Sequence, residues 1–312
     1  MAKEIRFIYF GSSQFSKMVL EGLYNLGLVP LLVVSKPDRP KGRGLIVHST
    51  ETSDFANKKK VPLIKPESLM DNNCLETLRQ NKADFFIIVD YGKIIPSSLL
   101  SIPTILPLSL HPSLLPRYRG PAPIEYTIKN GDNYTGITVF RLAERIDTGD
   151  IILQKRIIIG YRDDFYSLSH KLAFNGISLL SEAITKIKNN DYCLTAQIEN
   201  EATLTHKFKK EDGRINWGLP AFQIRNLVRA LVSWPSVYTY YKNILIKILE
   251  TEIVEKTDSS PPGTIISIDK EGIGVATAKD MLKIKRLKPQ DKKDMSAWDF
   301  VSGYRIKVGE RF

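Results

Sequence analysis

Ile5 to Ser35, IRFIYFGSSQFSKMVLEGLYNLGLVPLLVVS, is the stretch that decides how the N-terminal part of the chain folds. Ile5 to Phe10 is an apolar run of strand length, and Gly11-Ser12-Ser13 is a turn. Ser16 to Leu26 spaces its apolar residues as a helix does, and Leu28 to Ser35 is a second apolar run. Strand, turn, helix and strand in this order make a βαβ unit, which requires a parallel strand pair bridged by the helix. The turn holds a single glycine, Gly11, so the GxGxxG and P-loop patterns are both absent. No nicotinamide or nucleoside triphosphate cofactor is expected.

The alternation continues. Val61 to Leu63 reads as a strand, Leu75 to Asn81 as a helix, and Asp84 to Val89 as a strand buried on both faces. Ile95 to Leu100 reads as a short helix, and Leu106 to Leu110 as the strand that delivers His111. A helix over Ala122 to Asn130, strands over Thr135 to Arg141 and Ile151 to Ile159, and a long amphipathic helix over Tyr166 to Asn189 follow. The expected fold of residues 1–189 is therefore α/β, a Rossmann-like open and mostly parallel sheet. Such sheets bind ligands outside the C-terminal ends of their strands, where Tyr91-Gly92 and His111 fall.

Residues 190–207 are polar and weakly periodic, which reads as a linker. Beyond it, Ala221 to Ala230 is helical. Five short β-rich pieces between turn signals follow: Val237 to Tyr241, Ile244 to Ile253, Gly263 to Ile268, Gly272 to Thr277 and Met281 to Leu287. Residues 208–312 are thus expected to form a smaller, partly closed β-barrel of the OB-like kind, ending in a helix capped by Ser296.

Over 312 residues, 43% hydrophobic and 25% charged content excludes global disorder, and a formal net charge of +11 favours a polyanionic partner. Cys74 and Cys193 have no CxxC spacing, which fits free thiols in a reducing compartment. The first apolar run is too short for a signal or membrane-spanning segment, so a cytoplasmic protein without membrane contact is expected. The segment Ser35 to Ser49, SKPDRPKGRGLIVHS, carries Lys36, Arg39, Lys41 and Arg43 among prolines and glycines. It is either a solvated loop or a basic arm that grips phosphates.

The chemistry concentrates in Ser109 to Gly120, SLHPSLLPRYRG, and in the turn IDTGD around Asp147. His111 stands among Pro107, Pro112 and Pro116, which hold it on irregular backbone at a strand end. The other histidines, His48, His170 and His206, lack metal-ligand spacing, and no metal is expected. Asp147 is either a turn residue bonded to its own backbone or a functional carboxylate; these residues alone do not pair it with His111.

SLHPSLLPRYRGPAPI at Ser109 to Ile124, followed by TGITVFRLAERIDTGDII at Thr135 to Ile152, resembles the motifs of enzymes that use N10-formyl-tetrahydrofolate. PDRPKGRG at Pro37 to Gly44, YGKIIP at Tyr91 to Pro96, RINW at Arg214 to Trp217, WPSVY at Trp234 to Tyr238 and MSAWDF at Met295 to Phe300 extend this over essentially the whole chain. The extended pattern is similar to the methionyl-tRNA formyltransferase family. The resemblance implies transfer of a formyl group from N10-formyl-tetrahydrofolate to the α-amine of methionyl initiator tRNA, by a monomer. The alternative is a formyltransferase or hydrolase of the same superfamily acting on a small amine, such as an amino sugar nucleotide, or on water.

It also implies a catalytic trio of Ser109, His111 and Asp147, with Ser109 standing where the family usually has asparagine. On the same pattern His111 donates a hydrogen bond to the reacting oxygen, while Asp147 holds the imidazole and takes up the amine proton. Val89, Tyr91, Gly92 and the backbone from Arg141 to Asp147 are expected around the folate, with Ser113, Leu114, Leu115 and Pro116 nearby. Arg39, Lys41, Arg43 and Lys207 are expected against the acceptor arm of the tRNA. Lys283, Lys285, Arg286, Lys288, Lys292 and Lys293 are expected on its phosphates.

Overall fold

The structure is a computed structural model that describes residues 5–41, 44, 46–256 and 258–312. They form two compact units. One comprises the chain up to Pro123, Tyr134–Ile158 and Ser169–Thr205; the other comprises Ile124–Asn133, Ile159–Leu168 and His206–Phe312.

The βαβ unit is β1 (Phe7–Gly11), α1 (Gln14–Asn25) and β2 (Leu32–Val34). The expected second strand, Leu28 to Ser35, is shorter because Pro30 supplies no N–H to a ladder. The basic loop contains a hairpin of β3 (Arg39–Lys41) and β4 (Ile46–His48). Next come α2 (Glu51–Lys59), β5 (Leu63–Ile64), α3 (Asn72–Gln80), β6 (Phe85–Val89) and β7 (Leu106–His111). In place of the helix expected over Ile95 to Leu100 there is one 3-10 turn, Ser97–Leu99. Pro96 opens it, and Pro103 disfavours helical backbone at Ile102. The chain continues through α4 (Pro123–Lys129), β8 (Tyr134–Arg141), β9 (Ile151–Ile158) and α5 (Phe165–Lys188).

The sheet of the first unit runs β5-β2-β1-β6-β7-β8-β9. Its first five strands are parallel, and β8 and β9 are antiparallel additions beside β7. The chain leaves β1 towards β2 on one side and β6 on the other, so the topological switch point lies between β1 and β6. Alternation sends Ile8, Phe10, Leu32, Val34, Phe86 and Ile88 into a core shared with Leu78 of α3, while Phe7, Tyr9, Val33, Phe85 and Ile87 are buried on the other face. Gly22 and Gly176 let helices close in. A Cβ on Gly22 would stand 2.1 Å from Ile177 of α5, and one on Gly176 2.8 Å from Leu110. α5 therefore covers the Leu110 face of β7, which leaves Ser109 and His111 on the opposite face.

Residues 190–205, expected as a linker, run along this first unit. Thr195 and Ile151 exchange backbone hydrogen bonds of 2.8 and 2.9 Å, and Gln197, Thr203 and Thr205 bond to its loops. Their side chains satisfy irregular backbone rather than fill a core, so the stretch has no hydrophobic period.

The second unit contains α6 (Ala221–Ala230), β10 (Val237–Tyr241), β11 (Ile244–Val254), β12 (Ile265–Asp269) and β13 (Gly272–Ala276). β14 (Met281–Pro289), β15 (Met295–Ser296) and α7 (Ala297–Tyr304) complete it. The antiparallel order is β10-β11-β14-β13-β12, with β15 on β14, and bulges around Glu250 bend the long β11–β14 pair into a small barrel-like sheet. Ser296 caps α7 by accepting from the Asp299 N–H at 3.0 Å.

Candidate active site

Period-two alternation places Ser109 and His111 on one face of β7, each opposite a residue of β8: Ser109 faces Phe140 and His111 faces Thr138. Thr138 in turn pairs with Gln154 of β9, so a polar row, His111–Thr138–Gln154, crosses three strands of an otherwise apolar sheet. Its bonds hold the Ser-Leu-Leu-Pro loop. The Thr138 hydroxyl donates to Ser113 O at 2.6 Å and accepts from Leu115 N at 3.2 Å, while Gln154 Nε2 donates to Leu115 O at 2.8 Å.

His111 is 7% exposed. Its Nε2 lies 2.8 Å from the carbonyl oxygen of Tyr118. A carbonyl only accepts, so Nε2 carries a proton and Nδ1 is the ring nitrogen with the lone pair. Nδ1 lies 3.6 Å from Asp147 Oδ2. The same oxygen accepts from the N–H of Gly120 at 2.8 Å. The Asp147 side chain therefore reaches across to the histidine's loop and is not spent on its own turn. Asp147 has φ 55° and Tyr118 φ 60°, left-handed conformations that are disfavoured for side-chain-bearing residues. Gly120, at φ 107°, is obligatory, because a Cβ there would meet Thr205 O at 2.7 Å.

This geometry narrows one expectation. The Nε2–H of His111 is committed to Tyr118 O, so a bond from the ring to the reacting oxygen can come only from Nδ1. The edge available to a reactant is Nδ1, beside the carboxylate.

The residues expected around the folate are divided. Val89 ends β6 and is fully buried, and Gly92 adopts φ 76° with the Lys36 ammonium nitrogen where a Cβ would come within 2.6 Å. Tyr91 points its ring into the core, edge-on to Phe10 at 5.8 Å, and is 1% exposed. Position 91 can therefore offer a ligand only its backbone. Its buried hydroxyl has no hydrogen-bond partner among the described residues, and burial, followed by the nearby Cys74, pushes its pKa up to about 12. Tyr91→Phe is expected to stabilise the protein by ~1 kcal/mol, since it removes an unpaired buried hydroxyl. A pKa raised on folding contributes stability that is complete below the unfolded value and is lost as pH rises through about 12. The phenylalanine variant should lose part of that alkaline sensitivity, read as urea midpoints across the pH range.

Of the residues expected on tRNA, Arg39 is exposed and paired with Glu67, and Lys207 is exposed at the start of the second unit. Exposed pairs of this kind are weak and exchangeable for phosphate. Lys41 lies in β3, and Arg43 lies outside the described residues. On the second unit Lys283 already faces Asp269 and Glu271, Lys285 faces Glu252 and Arg286 faces Asp294, whereas Lys288, Lys292 and Lys293 are exposed. The first three are cations with neighbouring carboxylates, which a run of basic letters does not reveal.

Sequence reasoning missed Thr138, Gln154 and Gln197. A polar residue inside the strand Ile137-Thr138-Val139-Phe140 was a readable signal for Thr138; Gln197 had none. Among the described residues no group of His, Cys, Asp and Glu could hold a metal ion, and no helix is long and apolar enough to cross a membrane.

Comparison with known proteins agrees with these motifs. Residues 3–184 match the formyl transferase family model, and residues 207–305 match the formyl transferase C-terminal domain. The chain is 40% identical to the methionyl-tRNA formyltransferase of Thermodesulfovibrio yellowstonii over 97% of both chains. It is 38% identical to that of Caldicellulosiruptor saccharolyticus over 96% of both. Among solved structures, an N-formyltransferase from Helicobacter canadensis in complex with folinic acid and dTDP-3-aminofucose superposes with a TM-score of 0.66 at 18% identity, covering 90% of this chain and 98% of that one. That likeness is one of fold. With both family models matched in order and full-length identity of this size, the chain belongs to the methionyl-tRNA formyltransferase family.

Proposed function

We propose that the protein transfers a formyl group from N10-formyl-tetrahydrofolate to the α-amine of methionyl initiator tRNA. The observation that carries this reading is the pairing of His111 Nδ1 with Asp147 Oδ2 at 3.6 Å on the C-terminal edge of the sheet. The donor is bound along that edge by the backbone of Val89 to Gly92 and by the loop Ser113 to Pro116. The left-handed, side-chain-free Gly92 and the bonded Ser113–Leu115 backbone suit a flat ring held by main-chain groups.

An α-amine has pKa ~7.7 to 8.0, so a substantial neutral fraction is present near neutral pH and no enzyme nucleophile is needed. Its nitrogen attacks the formyl carbon, the bond from that carbon to the donor nitrogen breaks, and the donor nitrogen gains a proton. The proton lost by the amine goes to His111 Nδ1, the ring edge left free by the Tyr118 contact; Asp147 stabilises the resulting imidazolium, which then gives that proton to the departing donor nitrogen. Negative charge growing on the formyl oxygen meets the imidazolium and the hydroxyl of Ser109, which shares the face of His111. Asp147 thus keeps its charge and His111 moves the proton, the reverse of the division implied by the resemblance alone.

The acceptor arm is held by Arg39, Lys41, Arg43 and Lys207, with Lys288, Lys292 and Lys293 adding positive charge on the second unit. The formal net charge of +11 supports a polyanionic acceptor over a small amine.

The reading is tested at Ser109. Ser109→Ala should lower kcat for methionyl-tRNA formylation ~10²- to 10³-fold, the loss of one oxyanion donor. Ser109→Asn, which restores a donor, should keep most of the activity. An alanine variant as fast as wild type would remove the hydroxyl from the mechanism.

A further inference from the structure

The site described so far uses the loops that follow β7 and β8, and both are also tied to a third segment of the chain. Asp147 has a left-handed backbone, and its carboxylate accepts from Gly120 N on the other loop. The third segment runs from Gln197 to Thr205 and includes a 3-10 turn at Glu199–Glu201. On the histidine side, Tyr118 N donates to Thr203 Oγ1 at 2.8 Å, and Arg119 N donates to Thr203 O at 2.9 Å. Arg119 O accepts from Thr205 N at 2.7 Å and from the Thr205 hydroxyl at 3.0 Å. On the aspartate side, a single side chain makes the connection. Gln197 Nε2 donates to Asp147 O at 2.8 Å and to Gly149 O at 2.7 Å.

The other end of that carboxamide is fixed as well. Gln197 Oε1 accepts from Arg119 Nε at 3.0 Å. Arg119 is 3% exposed, and its two remaining nitrogens bond the two oxygens of Glu199, each at 3.0 Å. This fork fixes the guanidinium plane and so fixes which atom of Gln197 faces the aspartate loop. The Arg119 hydrogen bond accordingly pulls the exposed Glu199 carboxyl below its ordinary range. Arg119 is also the residue between Tyr118, whose carbonyl orients His111, and Gly120, whose N–H holds Asp147. One guanidinium and one carboxamide therefore set the spacing of the two loops that carry the reacting groups.

We infer that Gln197, oriented by Arg119, is a positioning residue: it clamps the peptide of Asp147 so that the carboxylate stays in register with His111 Nδ1. This rests on the functional reading of Asp147 and extends it to a segment whose composition gave no sign of a role. The physical demand is stringent. A carboxylate stabilises an imidazolium in proportion to its proximity, and a displacement of about 1 Å at a catalytic group costs up to ~10²-fold in rate.

The test is a double-mutant cycle on the full chain with Gln197→Ala, Asp147→Asn and the pair, read as kcat and KM for donor and for methionyl-tRNA. Gln197→Ala alone should lower kcat ~10- to 100-fold with the KM for methionyl-tRNA little changed, because the basic surfaces expected on tRNA are untouched while the carboxylate drifts. In the Asp147→Asn background the same change should add almost nothing, since the charge it positions is gone. Gln197→Glu turns the two N–H donors into a carboxylate oxygen facing two carbonyls, and should be no better than alanine even though it keeps length and can still accept from Arg119. Fully additive effects, or a loss confined to KM or to thermal stability, would overturn the positioning role while leaving Asp147 in place. Wild-type kcat in Asp147→Asn alone would remove the functional reading of Asp147 and the inference with it.

Discussion

Alanine at position 111 is expected to reduce kcat for formyl transfer by ~10²- to 10⁴-fold, the range set by loss of a positioned general base. The imidazole is buried, its Nε2–H is fixed by Tyr118 O, and only Nδ1 is left to take a proton beside Asp147. Removing it also takes away the His111 hydrogen bond to Tyr118 O, and with it about 0.5 to 1.5 kcal/mol. His111→Gln separates the two effects. A glutamine N–H can reach the same carbonyl but does not titrate, so the fold should recover while the rate should not. Donor KM should be similar in both variants, because His111 is not among the expected folate contacts, which lie at Val89 to Gly92, along the Arg141 to Asp147 backbone and on the Ser113 to Pro116 loop. A glutamine variant with wild-type kcat would show that proton transfer at Nδ1 is not part of the reaction.

Asp147→Asn should be nearly as damaging, with a loss of ~10²- to 10⁴-fold. Asparagine tolerates the left-handed φ of 55° better than other substitutes and can still accept from Gly120 N, so the turn should survive. What disappears is the charge that stabilises the imidazolium. The variant should therefore fold like wild type by circular dichroism and bind donor, yet transfer slowly. Retained activity would mean that hydrogen bonding at position 147, rather than charge, is what the reaction uses.

How much of this was legible in the chain depends on the physics of each part. β1, β6 and β7 are buried on both faces, so their apolar runs stand out against polar turns, and the α/β reading followed from the βαβ unit at Phe7 to Val34 and the alternation that continues it. The second unit was readable because its strands are short and separated by turn signals, and the observed strands fall on the same runs. His111 was legible through its prolines. Its partner was not, because the approach of Asp147 depends on a turn with a left-handed backbone and on a bond to Gly120 N, 27 residues away. The inward orientation of Tyr91 and the hairpin within the basic loop escaped for a related reason. Both depend on where a chain end of the sheet places its next few residues, which no periodicity encodes. Gln197 was the least legible, since one carboxamide in a polar stretch looks like any solvated residue until its three partners are known.

Which acceptor the protein uses is read from the rate of formyl transfer from N10-formyl-tetrahydrofolate by the wild-type protein to four acceptors in parallel. These are methionyl initiator tRNA, the same tRNA uncharged, free methionine and a nucleotide-linked amino sugar. The account predicts transfer to the charged tRNA alone, weakening as salt is raised because phosphate contacts release counterions. Transfer to the amino sugar or to free methionine at a comparable rate, with no preference for the tRNA, would contradict it.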